Sequence, residues 1–314
     1  MNSYDVTIFG IEITLNPIAF TIKIGSFEWD VYWYGIIIAT GFLLAFIYAL
    51  KNAKRFNINV DRMTDTVLVV TPISILSART YYLIFDGQKM NGISDFFGFG
   101  NSSGFAGLAI YGGVIGAFAS GALMCCLRKI KIIDMFDLAA IGFLIGQGVG
   151  RWGNFVNQEA YGSFTGSSWW GMQSDKTVLE MGKGLVHPCF LYESVWCIIG
   201  FFLLHHLSKK RKFGGEIILM YCTWYGFGRG FIELLRTDSL MIGKIRVSCL
   251  LSFVICIASI ITIILIRKNL AQNKGSDEYS PVFKQSKKTE TAFETAESGN
   301  TNLLIKEDTD VQNN

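Results

Sequence analysis

Four side chains able to bind or move charge recur at helical spacing inside one apolar run. Tyr225, Arg229, Glu233 and Arg236 are separated by four, four and three residues, which sets them along one face of a helix. Ionised groups in such surroundings are costly unless paired or hydrated, so they mark chemistry by default. An ion pair between Arg229 and Glu233 would account for two of them and leave Arg236, Arg79 and Arg151 in want of anions. A second constellation closes another apolar run: Gly146-Gln-Gly-Val-Gly150-Arg151-Trp152-Gly153-Asn154-Phe155-Val156-Asn157-Gln158-Glu159-Ala160-Tyr161-Gly162. Gly142, Gly146 and Gly150 recur every four residues, so another backbone can approach closely there. The glycines that follow are expected to let the chain leave the helix and expose backbone donors. A turn carrying Arg151, Asn154 and Asn157 could hold a phosphate, whose oxygens a guanidinium grips bidentately. The plainer reading is a packing hinge with a snorkelling arginine. Arg79, beside Tyr81 and Tyr82 in a third run, adds another cation at membrane depth.

Other features carry less by themselves. Gly107-Leu108-Ala109-Ile110-Tyr111-Gly112-Gly113, with Gly116 a turn further on, reads as close helix contact or a substrate surface. Trp33-Tyr34-Gly35 reads as an interfacial aromatic belt. His187-Pro188-Cys189-Phe190-Leu191-Tyr192-Glu193-Ser194 opens an apolar run with proline in a first-turn position and a histidine able to titrate near neutral pH. The seven cysteines have no paired spacing, so they read as free thiols, and no metal site is expected.

The elements that must position these residues are membrane spans. The chain has 314 residues, 51% of them hydrophobic and 17% charged, with a mean hydropathy of +0.37, whereas soluble domains carry roughly 25% charged residues. Seven stretches approach the length of about 20 apolar residues that a spanning helix needs: 32–50, 66–86, 105–127, 134–150, 189–207, 215–235 and 247–267. Basic clusters follow every second one, at Lys51–Arg62, Arg128–Lys131, Lys209–Lys212 and Arg267–Lys268. The loop at 87–104 has only Lys89, although 236–246 carries Arg236, Lys244 and Arg246. The expectation is an all-α, polytopic membrane protein with seven transmembrane helices, N-terminus outside and C-terminus cytoplasmic. Residues 1–31 form an arm at the outer interface, 32–268 the membrane domain with an extracytoplasmic loop at 151–188, and 269–314 a disordered tail. No basic n-region or short apolar core marks a signal peptide. The net charge of +3 reports topology, and nucleic acid is not an expected partner.

Residues 150–162 resemble the signature of the prolipoprotein diacylglyceryl transferases, and four further motifs follow in order. Trp33-Tyr34-Gly35 resembles the first-span motif of that family, Ser77-Ala78-Arg79-Thr80-Tyr81-Tyr82 its Gly-Ala-Arg motif, His187 through Glu193 its His-Pro-x-x-Leu-Tyr-Glu motif, and Tyr225 through Asp238 its sixth-span motif. The resemblance covers residues 10–268. It departs where Ser77 replaces a glycine and where Tyr111 stands in place of a frequent histidine; a phenol with a pKa of about 10 is a poor base at neutral pH.

The resemblance implies an enzyme of the bacterial inner membrane, active toward the extracytoplasmic leaflet. It would move the diacylglyceryl group of phosphatidylglycerol to the lipobox cysteine of preprolipoproteins, as a thioether, releasing glycerol 1-phosphate without a cofactor. Arg151 and Arg229 would clamp the phosphate, Asn154 orient it, and Glu159 and Glu233 hold those groups. Arg79, Arg236, Asn157 and Gly162 would add substrate contacts. The base that takes the thiol proton is open among Tyr34, Tyr111, Tyr225 and Glu159. A secondary transporter of an anionic solute and a non-catalytic lipid-binding scaffold are the competing classes; no inverted repeat supports the first.

Overall fold

The computed structural model describes residues 3–24, 27–85, 96, 107, 109–237, 241–242 and 245–272. Its helices are α1 Trp33–Asn52, α2 Val60–Phe85, α3 Ile110–Leu127, α4 Ile132–Val156, the short α5 Asp175–Met181, α6 Cys189–Ser208, α7 Glu216–Leu235 and α8 Val247–Gln272. Six of them, all but α5 and α7, are long and apolar enough to cross a membrane. Helix α7 falls short because it carries Glu216, Arg229 and Glu233. Leu43, Leu68, Leu123, Phe202, Leu250 and Ile261 are exposed on the long helices, a surface that only lipid covers favourably. The chain is therefore an all-α, multi-pass membrane protein.

Contacts divide the chain into two compact units, residues 50–136 and residues 1–49 with 137–314. In the smaller unit α2 and α3 run antiparallel on a glycine seam. A Cβ at Gly112 would lie 2.3 Å from Tyr81 Cβ, and one at Gly116 would lie 2.4 Å from Ser77 Cβ. Ser74 Oγ donates to the Gly113 carbonyl at 2.8 Å. Helix α2 starts at Val60 because Asn59 Oδ1 accepts the Arg62 N–H.

In the larger unit the stripe Gly142, Gly146, Gly150 and Gly153 meets Ala45, Gly41, Ile38 and Tyr34 of α1 in antiparallel order. Helix α4 then binds α6, whose Ser194 Oγ donates to the Gly148 carbonyl at 2.7 Å. Between α6 and α7, Trp196 and Trp224 stack at 4.1 Å, and each indole N–H donates to the other residue's backbone carbonyl, at 2.9 and 3.0 Å. Gly200 and Gly228 lie beneath these rings, where a Cβ would come within 2.3 and 2.1 Å of indole nitrogen. Gly226 and Gly230 admit α8 in the same way.

The described residues of the N-terminal arm form strands joined by short turns. β1 Tyr4–Ile8 and β2 Ile11–Leu15 join β5 Met172–Ser174 in an antiparallel sheet of order β2-β1-β5. It covers a small core of Val6, Phe155, Tyr161, Met172, Val186 and Phe190. β3 Ile18–Ile24 pairs with β4 Phe27–Tyr32 in a separate hairpin. One hairpin face carries Phe20, Ile22, Trp29 and Val31; the other carries Thr21 bonded to Asp30 and Lys23 paired with Glu28, both at 2.6 Å. A last short ribbon joins β6 Met241–Ile242 to β7 Ile245–Arg246.

Three boundaries differ from expectation. Helix α3 begins at Ile110, with Ala109 extended before it, and Gly107 is left-handed (φ +83°) with no room for a Cβ beside the Tyr82 ring. Helix α4 does not break at Gly150 but continues through Arg151, Gly153 and Asn154 to Val156, since those glycines are consumed in packing on α1. Residues 269–272 belong to α8 rather than to the tail. Leu108, Lys89, Asp238, Lys244 and residues 273–314 lie outside the described residues. All seven cysteines are free thiols.

Candidate active site

Helix α4 ends in a Schellman turn, and that turn builds one wall of the site. The Glu159 N–H bonds the Asn154 carbonyl at 3.0 Å and the Gln158 N–H bonds that of Phe155 at 3.1 Å, with Gln158 left-handed at φ +50° where glycine is usual. The turn swings Glu159 back over the helix end, so that Asn154 Nδ2 donates to Glu159 Oε1 at 2.8 Å. Asn154 Oδ1 in turn accepts from Arg151 Nη1 at 3.3 Å. Tyr34 packs across Gly153, where a Cβ would lie 2.7 Å from its ring, and stands within electrostatic reach of Glu159 and Arg151.

The centre of the network is Glu193, in the second turn of α6. It is 2% exposed and joins two arginines from different helices: Arg151 Nη2 at 2.7 Å on Oε1 and Arg229 Nη1 at 3.0 Å on Oε2. The Tyr225 hydroxyl donates to the same Oε1 at 2.9 Å. Arg229 Nη2 meets Glu233 Oε2 at 2.7 Å, and Arg236 Nε lies 3.9 Å from that oxygen. A connected chain therefore runs Glu159, Asn154, Arg151, Glu193, Arg229, Glu233, Arg236. The arginine side chains retain 23% and 18% exposure at Arg151 and Arg229, while both bridging glutamates are buried. Carboxylates offset the cost of burying the guanidiniums. Each guanidinium has five N–H groups in a planar fork, more than these contacts use.

The structure thus brings together Tyr34, Arg151, Asn154, Glu159, Tyr225, Arg229, Glu233 and Arg236. Asn157 lies one residue before the left-handed turn, and its carbonyl accepts from Lys176 Nζ at 3.4 Å. Gly162 pairs with Arg236 in an isolated β-bridge; a Cβ there would meet His187 Cβ at 2.7 Å, Cys189 Sγ at 2.9 Å and the Leu235 carbonyl at 2.9 Å. His187 Nδ1 bonds the Tyr192 hydroxyl, and burial lowers its pKa below the usual histidine value. The remaining two candidates belong to the smaller unit. Arg79 is buried and donates from Nε and Nη1 to the carbonyls of Phe96 and Gly107, both at 3.1 Å, with its guanidinium near the Tyr82 ring. Tyr111 is exposed in the first turn of α3.

Sequence reasoning assigned no role to Glu193, although it closes the His187–Glu193 motif; its partners Arg151 and Arg229 come from other helices. It also missed Gln147, whose Nε2 donates to the Tyr221 hydroxyl at 2.9 Å, one turn before Tyr225. Tyr221 and Tyr225 stack at 5.6 Å, so a polar ladder climbs α7 toward Glu193.

Fold and site together define a helical membrane protein whose interior holds arginines fixed by buried carboxylates, an arrangement suited to an anionic lipid headgroup. The chain belongs to the prolipoprotein diacylglyceryl transferase family, whose model matches residues 17–265. It is 39% identical over 266 residues to the phosphatidylglycerol–prolipoprotein diacylglyceryl transferase of Clostridium novyi (strain NT), covering 83% of this chain and 99% of that one. It is 41% identical over 255 residues to the enzyme of the same name from Bacillus cereus (strain G9842), covering 79% and 91%. For that from Limosilactobacillus reuteri (strain DSM 20016) the figures are 40% over 272 residues, 83% and 95%.

Proposed function

We propose that this chain transfers the diacylglyceryl group of phosphatidylglycerol to the lipobox cysteine of prolipoproteins, the first step of lipoprotein maturation, at the Arg151–Glu193–Arg229 centre. The observation that carries the reading is the pair of partly exposed guanidiniums fixed from opposite sides by one buried carboxylate. In the reaction the thiolate sulfur attacks the terminal glyceryl carbon of the donor, the carbon–oxygen bond to phosphate breaks, and its electron pair goes to the phosphate oxygen. Glycerol 1-phosphate leaves and a thioether remains. Charge grows on the phosphate as the bond breaks, so N–H groups held in place beforehand by Glu193, Glu233 and Asn154 favour the transition state over the ground state. The thiol, with an ordinary pKa of about 8.5, must lose its proton. Glu159 is assigned that proton, because an amide rather than a guanidinium holds its carboxylate and Tyr34 stands beside it.

The placement follows from the same chain. Helix α7 is read as a span too, the sixth of seven, since its 20 residues reach about 30 Å at 1.5 Å per residue and its Glu216 and Glu233 are buried in protein rather than facing lipid. The alternating basic clusters then put the N-terminus outside and the C-terminus in the cytoplasm of a bacterial inner membrane, with the site toward the outer leaflet. The amphipathic β3–β4 hairpin, its apolar face exposed, is read as lying in the outer interface.

The test is transfer of radiolabelled diacylglyceryl from phosphatidylglycerol to a lipobox peptide by purified protein. Label on the cysteine with release of glycerol 1-phosphate, abolished in Arg229→Ala and Asn154→Ala, is expected. No transfer by folded wild-type protein given a competent peptide would sink the reading and favour anion transport.

A further inference from the structure

A cavity of about 390 Å³, which the arginines do not line, adjoins Glu159. Its walls are the turn Gln158–Tyr161, the face of α5 bearing Lys176, Glu180 and Met181, and Thr237 from the segment after α7. Three contacts hold these walls together: Tyr161 donates its hydroxyl proton to Glu180 Oε2, Lys176 Nζ donates to the Asn157 carbonyl, and Thr237 Oγ1 donates to the Tyr161 carbonyl at 3.4 Å.

We infer that this cavity receives the free glycerol of the phosphatidylglycerol headgroup, and so sets the preference for that donor; the inference rests on the transferase reading above. Connectivity gives the direction. Glu159 belongs both to the cavity wall and, through Asn154, to the Arg151 end of the phosphate clamp. A phosphate at Arg151 and Arg229 carries the diacylglyceryl carbon on one ester oxygen and the glycerol on the other. The acyl chains must stay with lipid, which leaves the polar arm for the polar cavity. The lining suits a diol: Glu159 and Glu180 accept hydrogen bonds from hydroxyls, Lys176 donates, and the Thr237 hydroxyl, its proton given to the Tyr161 carbonyl, accepts. The volume holds three carbons with hydroxyls and a few waters at about 30 Å³ each. Lys176 offsets one of the two carboxylates, and its N–H groups can donate to a hydroxyl but not to an ammonium.

Inhibition by product fragments tests this. Glycerol 1-phosphate, inorganic phosphate and phosphoethanolamine are compared as inhibitors of transfer by the full-length wild-type protein, by Thr237→Val and by Met181→Trp, which would fill the cavity. The wild-type protein should bind glycerol 1-phosphate on the order of tenfold more tightly than inorganic phosphate, the worth of one or two buried hydrogen bonds. Thr237→Val should lose most of that ratio and raise KM for phosphatidylglycerol with little change in kcat, while inhibition by inorganic phosphate stays as it was. Since Met181 also packs on the small core, Thr237→Val, which keeps the side-chain shape and removes the hydroxyl with its long bond to the Tyr161 carbonyl, carries the test if Met181→Trp fails to fold. Equal inhibition by glycerol 1-phosphate and inorganic phosphate in an active wild-type protein overturns the assignment alone. Phosphoethanolamine as the best inhibitor would do the same and make the cavity a cation site. A wild-type protein without transfer overturns the donor reading and this assignment with it.

Discussion

Glu193 is the residue on which the site turns. One carboxylate holds two guanidiniums and a phenol, and at 2% exposure it has no water to replace it. Glu193→Gln keeps the shape and removes the charge, leaving Arg151 and Arg229 facing each other across a neutral amide. Loss of one partner of a buried charge network costs about 3–5 kcal/mol. The expected result is a fall of at least about a hundredfold in kcat for diacylglyceryl transfer, since only about 2.7 kcal/mol of misplaced transition-state stabilisation gives that factor. A rise in KM alone, with kcat intact, would show that Glu193 serves substrate affinity and not the chemistry. The face formed by Tyr225, Arg229 and Glu233 is legible from spacing, because all three lie on one helix and the helical period aligns them. Glu193 is not, because it lies 36 residues from Arg229 and no local period links two helices.

At the scale of elements, glycine decides which helices can touch. The exchange of indole hydrogen bonds between Trp196 and Trp224 depends on bare backbone at Gly228 and Gly200. Gly228→Ala would put a methyl 2.1 Å from the Trp196 ring nitrogen, pushing α6 from α7 and drawing Glu193 from Arg229. Overpacking of this kind costs about 1–3 kcal/mol. Transfer activity and thermal midpoint in detergent should fall together. Gly121→Ala, whose Cβ would meet nothing within 4 Å, should change neither and serves as the control. The every-fourth-residue stripe on α4 announces such packing in advance, and it packs on α1 as the spacing implies. The strands before α1 were harder to read. Apolar and polar residues do alternate with period two from Phe20 to Lys23, but the run is too short and too interrupted by charge to be told from an irregular arm.

At the scale of the whole molecule, α7 is anchored at both ends. One end meets Glu193; at the other, the buried carboxylate of Asp137 accepts from Arg211 Nη1 and the Gly215 N–H at 2.8 Å and from the Ile218 N–H at 2.9 Å, so a residue of α4 caps α7. Glu216 beside it meets Arg267 of α8 at 2.7 Å. Asp137→Asn replaces an oxygen that accepts two of these bonds, or the one that accepts the third, with a donor, and it removes the charge facing Arg211. The expected outcome is a clear drop in thermal midpoint with kcat at low temperature within a few-fold of wild type. An unchanged midpoint would mean that the cap does not hold the bundle. By itself the sequence determined the membrane habit, the helical runs, the positions of the arginines and the family, because hydropathy, period and motif order are properties of a linear chain. Only the tertiary structure decided which carboxylate meets which arginine, that α4 runs on past Gly150, that the arm is paired strands and that a polar cavity adjoins Glu159. Each of these depends on groups distant in the chain and brought together by packing, and no spacing along one segment encodes such a meeting.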